Sequence, residues 1–588
     1  MRFRYLDVLK AIAIIAVVLY HSGMLIYGYL GVDVFLVISG YLTTKGLSNK
    51  LLSKNQSYWK AYFYFEKTRI ARLLPLLLIA GIICMVCGYY TMLPDDYENL
   101  SESVIATNFF SNNVLSAITT KNYWAVANDY KPLMHTWYVG VLMQFYLFYP
   151  LLFLLAKQDK KNPQDTLLLI IVVLGTISLL AYLWPMESAA HFYYLPFRFF
   201  EFAAGGILSL TWKPQETAVL PRGFVYSCYL LLLALLLVNR QIIPSNLMLI
   251  LAVVLSVVLI MSSQVLENNY AANGIIAKIG AASYSIFVWH QVILAFYRYT
   301  ISSHFSILSY VYIIVAVTLL SWVTYRYIEQ NTSNWLKDRL ISKVFYVLMT
   351  VFFIGLTGFS GYIYRNAGVV RDIPELYITM QNKHRGMHAE YCDRGYEYDK
   401  PFETNKVHWL VIGNSFGRDF VNVILESDIS NKVEVSYLET DKFAKIENRE
   451  RFKKANRVFI STLDLKESLV SEIEVVCLAS GLDLNKITIV GEKDFGESNG
   501  QVYAKRNRHD YFDQYIPVKD KKHFIEKNDY FRSIYGERFL DIMAFVKNEN
   551  GEVRVFTPDH HYISADNRHF SKGGAVYIAS LIDWNKYF

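Results

Sequence analysis

Apolar residues fill the first 364 positions in long blocks, and eleven of these approach the length a helix needs to cross a bilayer, about 20 mostly apolar residues. They span 5–22, 29–47, 71–92, 134–156, 166–184, 195–211, 222–239, 246–263, 280–298, 307–328 and 343–363. This continuity predicts a multi-span α-helical membrane bundle of about eleven transmembrane helices. After residue 364 the pattern changes. Short apolar runs at 407–412, 457–462 and 487–490 alternate with amphipathic stretches, which predicts an α/β domain with a parallel sheet flanked by helices. The expected divisions are 1–335 for the main membrane part, 336–364 for an eleventh helix, 365–405 for a polar connector and 406–588 for a soluble domain.

Composition sharpens this division. The 588-residue chain is 53% hydrophobic and 16% aromatic, against roughly 45–50% apolar for a soluble average, so disorder and collagen-like structure are excluded. Of its 109 Lys, Arg, Asp and Glu residues, 68 follow residue 364, about 30% of that segment against about 11% before it. The net charge of +7 is not gathered into a basic stripe with interleaved aromatics, so no nucleic-acid partner is expected. Loops rich in Lys and Arg stay in the cytoplasm. The N-terminus and the 48–70, 157–165 and 329–342 loops carry these residues at alternate connections. The alternation predicts a multi-pass protein of the cytoplasmic (inner) membrane, with a cytoplasmic N-terminus and an extracytoplasmic C-terminal domain.

Arg2, Arg4 and Lys10 precede an apolar run as in a signal peptide, but no small-residue cleavage site follows, so this segment reads as a retained first helix. Among five cysteines, the C-x-x-C at 84–87 reads as helix packing and no metal site is expected. Cys392 and Cys477 are open to pairing if their domain lies outside the cytoplasm.

Ionisable groups inside apolar helices are costly and face a cavity or a partner. Lys10 and His21 bracket the first helix, eleven residues or roughly 16 Å apart along its axis. They read either as an inner-face anchor with an interfacial polar residue, or as a ligand with a general base. Arg69 and Arg72, three apart on one helix face, are either a topogenic cluster or a clamp for an anionic group. His135, Arg198 with Glu201 as an i,i+3 ion pair, Ser283, Tyr284 and His290 complete the set. Singly each can be glue between helices, whereas together they predict a polar cavity in the bundle.

In the soluble part, Gly413-Asn414-Ser415 follows the first predicted strand, and ligands of parallel sheets bind beyond the carboxyl ends of strands. A serine nucleophile needs a histidine to take its proton and a carboxylate to orient that histidine. Asp566 and His569, three residues apart, offer both.

These residues carry two resemblances. Tyr5–Ala13 with His21, then GVDVFLVISGYL at 31–42, resembles the opening of the acyltransferase 3 family of integral membrane acyltransferases. The Lys10 to His21 spacing and Arg69-x-x-Arg72 are similar to its two signature motifs. HTWYVGVLMQFYLFYP at 135–150, YYLPFRFFEFAAG at 193–205, SYSIFVWH at 283–290 and YRYIEQ at 325–330 follow in order, so the likeness is collinear over about residues 4–330. Many members carry two acidic residues where this chain has Leu142 and Met143. The resemblance implies an acyl group, commonly acetyl, taken from cytoplasmic acyl-CoA as donor substrate, with no permanently bound cofactor, and placed on a sugar hydroxyl of a cell-surface glycan. His21 is then the catalytic histidine, and Lys10, Arg69 and Arg72 recognise the donor.

The soluble part resembles the Ser-Gly-Asn-His (SGNH) esterases, with Asn414 where Asp is usual. That likeness implies Ser415 as nucleophile, His569 as base, Asp566 as its orienting group, and oxyanion donors from Ser415 N–H, Gly491 and Asn499. The two together imply a two-stage membrane O-acyltransferase acting on a surface polysaccharide or peptidoglycan. A transporter of lipid-linked glycan and a membrane-anchored glycan esterase remain the alternatives.

Overall fold

The computed structural model describes residues 4–52, 57–119, 128–185, 189–212, 220–238, 244–262, 274–496, 499–518 and 520–588. The chain divides into two compact units, one formed by residues up to Gly88 with Asn99–Arg298 and His304–Tyr364, the other by Tyr89–Glu98, Tyr299–Ser303 and Arg365–Phe588.

In the first unit each of the eleven apolar runs is helical: Arg4–His21, Gly31–Leu51, Tyr58–Thr91, Trp137–Ala156, Pro163–Leu183, Leu195–Thr211, Arg222–Leu237, Ser245–Met261, Ser283–Thr300, Ile307–Thr324 and Arg339–Arg365. Being helical and being able to span are different properties. Among the described residues six helices are long and apolar enough to cross a membrane, or seven if Ile275–Ala281 and Ser283–Thr300, bent by 74°, form one span. Of the eleven helices expected to span, the remainder fall short of that length and apolarity for physical reasons. Arg222–Leu237 and Ser245–Met261 are apolar but short, Leu195–Thr211 carries Arg198 and Glu201, and Arg4–His21 carries Asp7 and Lys10.

Glycines set the tightest crossings in this unit. A methyl group on Gly40 would overlap the Phe202 carbonyl oxygen, and one on Gly205 the Val37 carbonyl oxygen. The helices Gly31–Leu51 and Leu195–Thr211 therefore meet main chain to main chain, which a Cβ at either position would prevent. Gly280 lies against the Asp7 carbonyl in the same way, seating the short helix Ile275–Ala281 on the first helix.

The second unit has strands β1 (Val407–Gly413), β2 (Val433–Glu439), β3 (Arg457–Ser461), β4 (Ile487–Val490), β5 (Tyr515–Pro517), β6 (Phe539–Leu540) and β7 (Glu552–Arg554). A parallel sheet runs β2-β1-β3-β4-β6, and β5 and β7 form a separate antiparallel pair. Strands β1, β3 and β4, central in that sheet, read as nearly continuous apolar runs because both sheet faces are covered. Trp409 and Val411 point into a core with Phe420 and Ile578, while Leu410 and Ile412 point into the opposite core with Val470 and Ile473. Helices Ser415–Leu425 and Lys572–Leu581 thus close one face, and Glu467–Ala479 the other.

Residues 365–405, expected as a connector, carry the helix Met387–Asp393 and bind the α/β core. Arg394 donates to Asn422 Oδ1 at 3.0 Å and Glu426 Oε1 at 2.9 Å, and the Glu434 carboxylate accepts from the Glu403 and Thr404 N–H groups and the Thr404 hydroxyl. Cys392 and Cys477 are both free thiols, so the disulfide open to them does not form.

Candidate functional site

In the membrane unit, Lys10, Arg69, Arg72, Ser283 and Tyr284 share one cavity of about 130 Å³, walled also by Tyr138 and Phe287. Lys10, Leu42, Arg69 and Arg72 also line a wider vestibule of about 910 Å³. Lys45 and Lys337 bring its cations to five against the carboxylates of Asp7 and Glu329, an excess suited to an anionic ligand. The Arg69 guanidinium packs between the Phe65 and Tyr146 rings, 4.8 and 5.0 Å from their centroids, which fixes its plane. Arg72 reaches Glu329 Oε1 at 3.5 Å, and Glu329 Oε2 accepts from Ser285 at 3.0 Å. Lys10 pairs with Asp7 at 3.2 Å.

His21 ends the first helix and has its own set of partners. Its Nδ1 is 2.9 Å from His290 Nε2, and His290 Nδ1 is 2.7 Å from the Phe287 carbonyl oxygen. A carbonyl only accepts, so His290 donates from Nδ1, and its Nε2 is left to accept from His21 Nδ1–H. The pair thereby fixes the tautomer of His21 and reserves its Nε2 lone pair as a base. The His135 ring packs edge-on to His290 at 5.2 Å and against Phe287 at 4.9 Å, and Arg298 donates to the His21 carbonyl at 2.6 Å.

The single polar cavity expected from sequence is thus divided. Ser283 and Tyr284 line it with the donor-type cations, whereas His135 and His290 gather at His21. Arg198 and Glu201 form the expected ion pair at 3.2 Å, but they are buried with Asp33, which contacts Arg198, and line neither cavity. Arg198 needs both carboxylates because a guanidinium so deeply buried is costly unless fully compensated.

In the soluble unit, Ser415 opens the helix that follows β1. Asn414 caps it, its Oδ1 accepting from Phe416 N–H at 3.1 Å and from Leu463 N–H at 3.1 Å, while its amide donates to the Leu463 carbonyl at 3.3 Å. An amide both donates to and accepts from the Leu463 peptide, which a carboxylate could not do. Asn in place of Asp thus ties the Ser415 turn to the loop after β3.

The Asp566–His569 turn divides one carboxylate between two tasks. Oδ1 accepts from the Arg568 and His569 N–H groups at 2.9 and 2.8 Å, closing the turn, and Oδ2 lies 2.6 Å from His569 Nδ1. Asn567 takes the left-handed conformation this requires, with φ 69°, at a position where Asn is among the least strained residues. Burial alone would raise the Asp566 carboxyl, but His388 and His569 hold it well below the usual carboxylate range. A carboxylate only accepts, so His569 donates from Nδ1. Its ring lies edge-on to Phe416, 6.2 Å away, beside the first turn of the Ser415 helix.

Two expected oxyanion donors are corrected. Gly491 N–H is committed to the Leu540 carbonyl at 2.8 Å in the sheet, and the Asn499 amide donates to the Ser564 and Ala565 carbonyls at 2.6 and 3.2 Å. Both donors are spent holding main chain.

Four residues near Ser415 and His569 escaped the sequence reading. Buried Asp419 accepts from Phe570 N–H at 3.1 Å and pairs with Lys493 at 2.8 Å. The Lys493 ammonium sits 3.4 Å from the Phe416 ring centroid. Asp419 follows Ser415 by one helical turn, and that i,i+4 spacing was the available signal. His388 and Cys392, again i,i+4, lie on the helix Met387–Asp393, with His388 Nε2 3.3 Å from Asp566 Oδ2. Burial pushes the Cys392 thiol up to about 12.

Residues 3–326 match the family described as Acyltransferase domain, the acyltransferase 3 family. The proteins called O-acetyltransferase OatA in Staphylococcus aureus strains NCTC 8325 / PS 47 and COL are each 27% identical over 348 residues, covering 55% of this chain and 56% of theirs. The chain therefore spans little more than half the length of these curated relatives, and no solved structure matches it. The family match takes in more than half of the chain and includes the Lys10, His21, Arg69 and Arg72 positions. This chain therefore belongs to the acyltransferase 3 family.

Proposed function

We propose that this acyltransferase moves an acyl group, acetyl by analogy with its OatA relatives, from cytoplasmic acyl-CoA to a hydroxyl of a cell-surface or cell-wall glycan in two stages. One observation carries the reading. A single chain holds two imidazoles, His21 and His569, one in each unit and each with Nδ1 set against a fixed partner.

Lys10, Arg69 and Arg72 hold the anionic donor in the cavity they line. In the first stage the thioester C–S bond breaks as the acyl carbon bonds to a hydroxyl oxygen. His21 takes that hydroxyl's proton and returns it to the departing CoA thiolate. The Ser415 hydroxyl attacks that first ester, whose C–O bond breaks as His569, oriented by Asp566, moves the Ser415 proton to the departing hydroxyl. The acyl group comes to rest on Ser415 Oγ with the Ser415 peptide N–H facing the oxyanion. A glycan hydroxyl then attacks this ester, His569 transferring its proton back to Ser415. The sum exchanges one thioester for one oxygen ester with no net proton change.

An extracytoplasmic soluble domain, the orientation that the basic loops favour, is part of this reading. An acyl-serine relay then spares the bulky coenzyme A the passage. The esterase alternative leaves the cationic cavity unused, and membership in an acyltransferase family weighs against the transporter.

The test is glycan acylation in cells carrying His21→Ala or Ser415→Ala. Each is expected to lower acylation by about 10³-fold or more. Unchanged acylation in Ser415→Ala would overturn the relay, and unchanged acylation in His21→Ala would overturn the assignment of the membrane base.

A further inference from the structure

The helix Met387–Asp393 and the Asp566–His569 turn bring three potential metal ligands, His388, Cys392 and His569, together in the soluble unit, with Asp566 beside two of them. Donor atoms of His388, Cys392 and His569 all lie within 4.8 Å of one another. Cys392 Sγ is 3.7 Å from His388 Nε2, and the same Nε2 is 3.3 Å from Asp566 Oδ2. Cys392 and His569 are each 1% exposed.

Zinc binds thiolate at about 2.3 Å and imidazole at about 2.0–2.1 Å with tetrahedral geometry. The edges of such a tetrahedron are then roughly 3.3–3.6 Å. The Cys392–His388 and His388–Asp566 separations are close to those edges before any metal enters, and the 2.6 Å Asp566–His569 hydrogen bond opens as the metal takes the place of its proton. The donor set also has the right chemistry. One thiolate, two imidazoles and a carboxylate suit zinc and cobalt, whereas calcium and magnesium select oxygen donors. The spacing is built from two short local elements, His-x-x-x-Cys on one helix turn and Asp-x-x-His on one loop, so each contributes two ligands without long-range adjustment.

We propose that His388, Cys392, His569 and Asp566 form a binding site for a thiophilic divalent cation of the zinc class, and that its occupancy takes His569 out of catalysis. The second half rests on the proposed role of His569, because an imidazole bound to metal no longer accepts a proton from a serine. Binding releases the Cys392 thiol proton to solvent, and withdrawal of the metal restores the Asp566–His569 pair. The site is thereby an off-switch read by metal availability.

The experiment uses the full-length protein in detergent, titrated with Co²⁺ and then displaced with Zn²⁺. A cobalt–thiolate charge-transfer band is expected at one equivalent per chain. Cys392→Ser should abolish the band, and His388→Ala should weaken cobalt binding at least tenfold. Zinc should inhibit acyl transfer in the wild type, and each variant should resist it relative to its own metal-free rate. Absence of the band, or its persistence in Cys392→Ser, would overturn the site. Inhibition of equal size in the wild type and both variants would overturn the switch.

Ser415→Ala separates this inference from the relay. Should the band persist in that variant while acylation is unimpaired, the metal site stands and the relay falls. Loss of the band in wild type with acylation still dependent on Ser415 would do the reverse.

Discussion

A buried histidine catalyses only if the correct nitrogen carries the proton, and here one carbonyl decides this for His21. Phe287 C=O accepts from His290, which in turn must accept from His21. When His21 becomes an imidazolium, the bond to His290 strengthens, because hydrogen bonds to charged groups contribute about 1.5–3 kcal/mol against about 1 for neutral ones. Replacing His290 with Ala removes that acceptor. Turnover is expected to fall about 10–100-fold with the donor KM little changed, and His290→Gln, whose amide oxygen can accept, is expected to recover part of the loss. Steady-state kinetics with acyl-CoA varied would check this. Sequence could name His21 and His290 as polar residues in apolar helices, but 269 positions separate them, and only the fold brings their rings together. Asp566 and His569 were legible because both lie on one local turn. The failure at Gly491 and Asn499 has the opposite cause: a donor's availability depends on what else the fold asks of it, and here main-chain carbonyls had already claimed both.

At the scale of elements, periodicity located the helices and strands β1, β3 and β4, since long apolar runs and buried strands leave strong signals, but it passed over edge strand β2, whose Glu434, Ser436 and Glu439 interrupt its apolar residues. It did not separate a helix that is apolar from one long and apolar enough to span, and two-residue β6 was too short to announce itself. The polar stretch 365–405 was read as a connector because it lacks an apolar period, yet side-chain bonds fasten it to the α/β core. Glu434 is the clearest such fastening. Burial would raise its carboxyl, but the Thr404 hydroxyl and the Glu403 and Thr404 N–H groups hold it below its ordinary value. A depressed carboxyl stabilises the fold above its unfolded-state value of about 4.3 and loses that contribution as pH falls through the folded value. Thermal unfolding followed from about pH 6 to about pH 3 is therefore expected to show a shallower acid decline in Glu434→Gln than in the wild type.

Across the whole molecule, the charge contrast between the two halves of the chain marked a membrane part and a soluble part from sequence alone. The sites in the two parts make separable demands on kinetics. Loss of a charged contact to the donor is worth about tenfold or more in binding. Arg72→Ala is accordingly expected to raise the acyl-CoA KM by about that factor, while Asp566→Asn lowers kcat and leaves this KM alone. A measured KM shift in Asp566→Asn and none in Arg72→Ala would reverse the assignment of donor and acceptor chemistry to the two units.

The Phe287 carbonyl has one more effect. Linked imidazoles inside a lipid barrier are a hazard to a cell that stores energy as a proton gradient, because such chains can conduct. A peptide oxygen has no proton to hand onward, so the His21–His290 pair is a cul-de-sac on that side. A proton that enters at His21 Nε2 must leave by the same atom, so the acid–base chemistry proposed for His21 would open no leak through this pair.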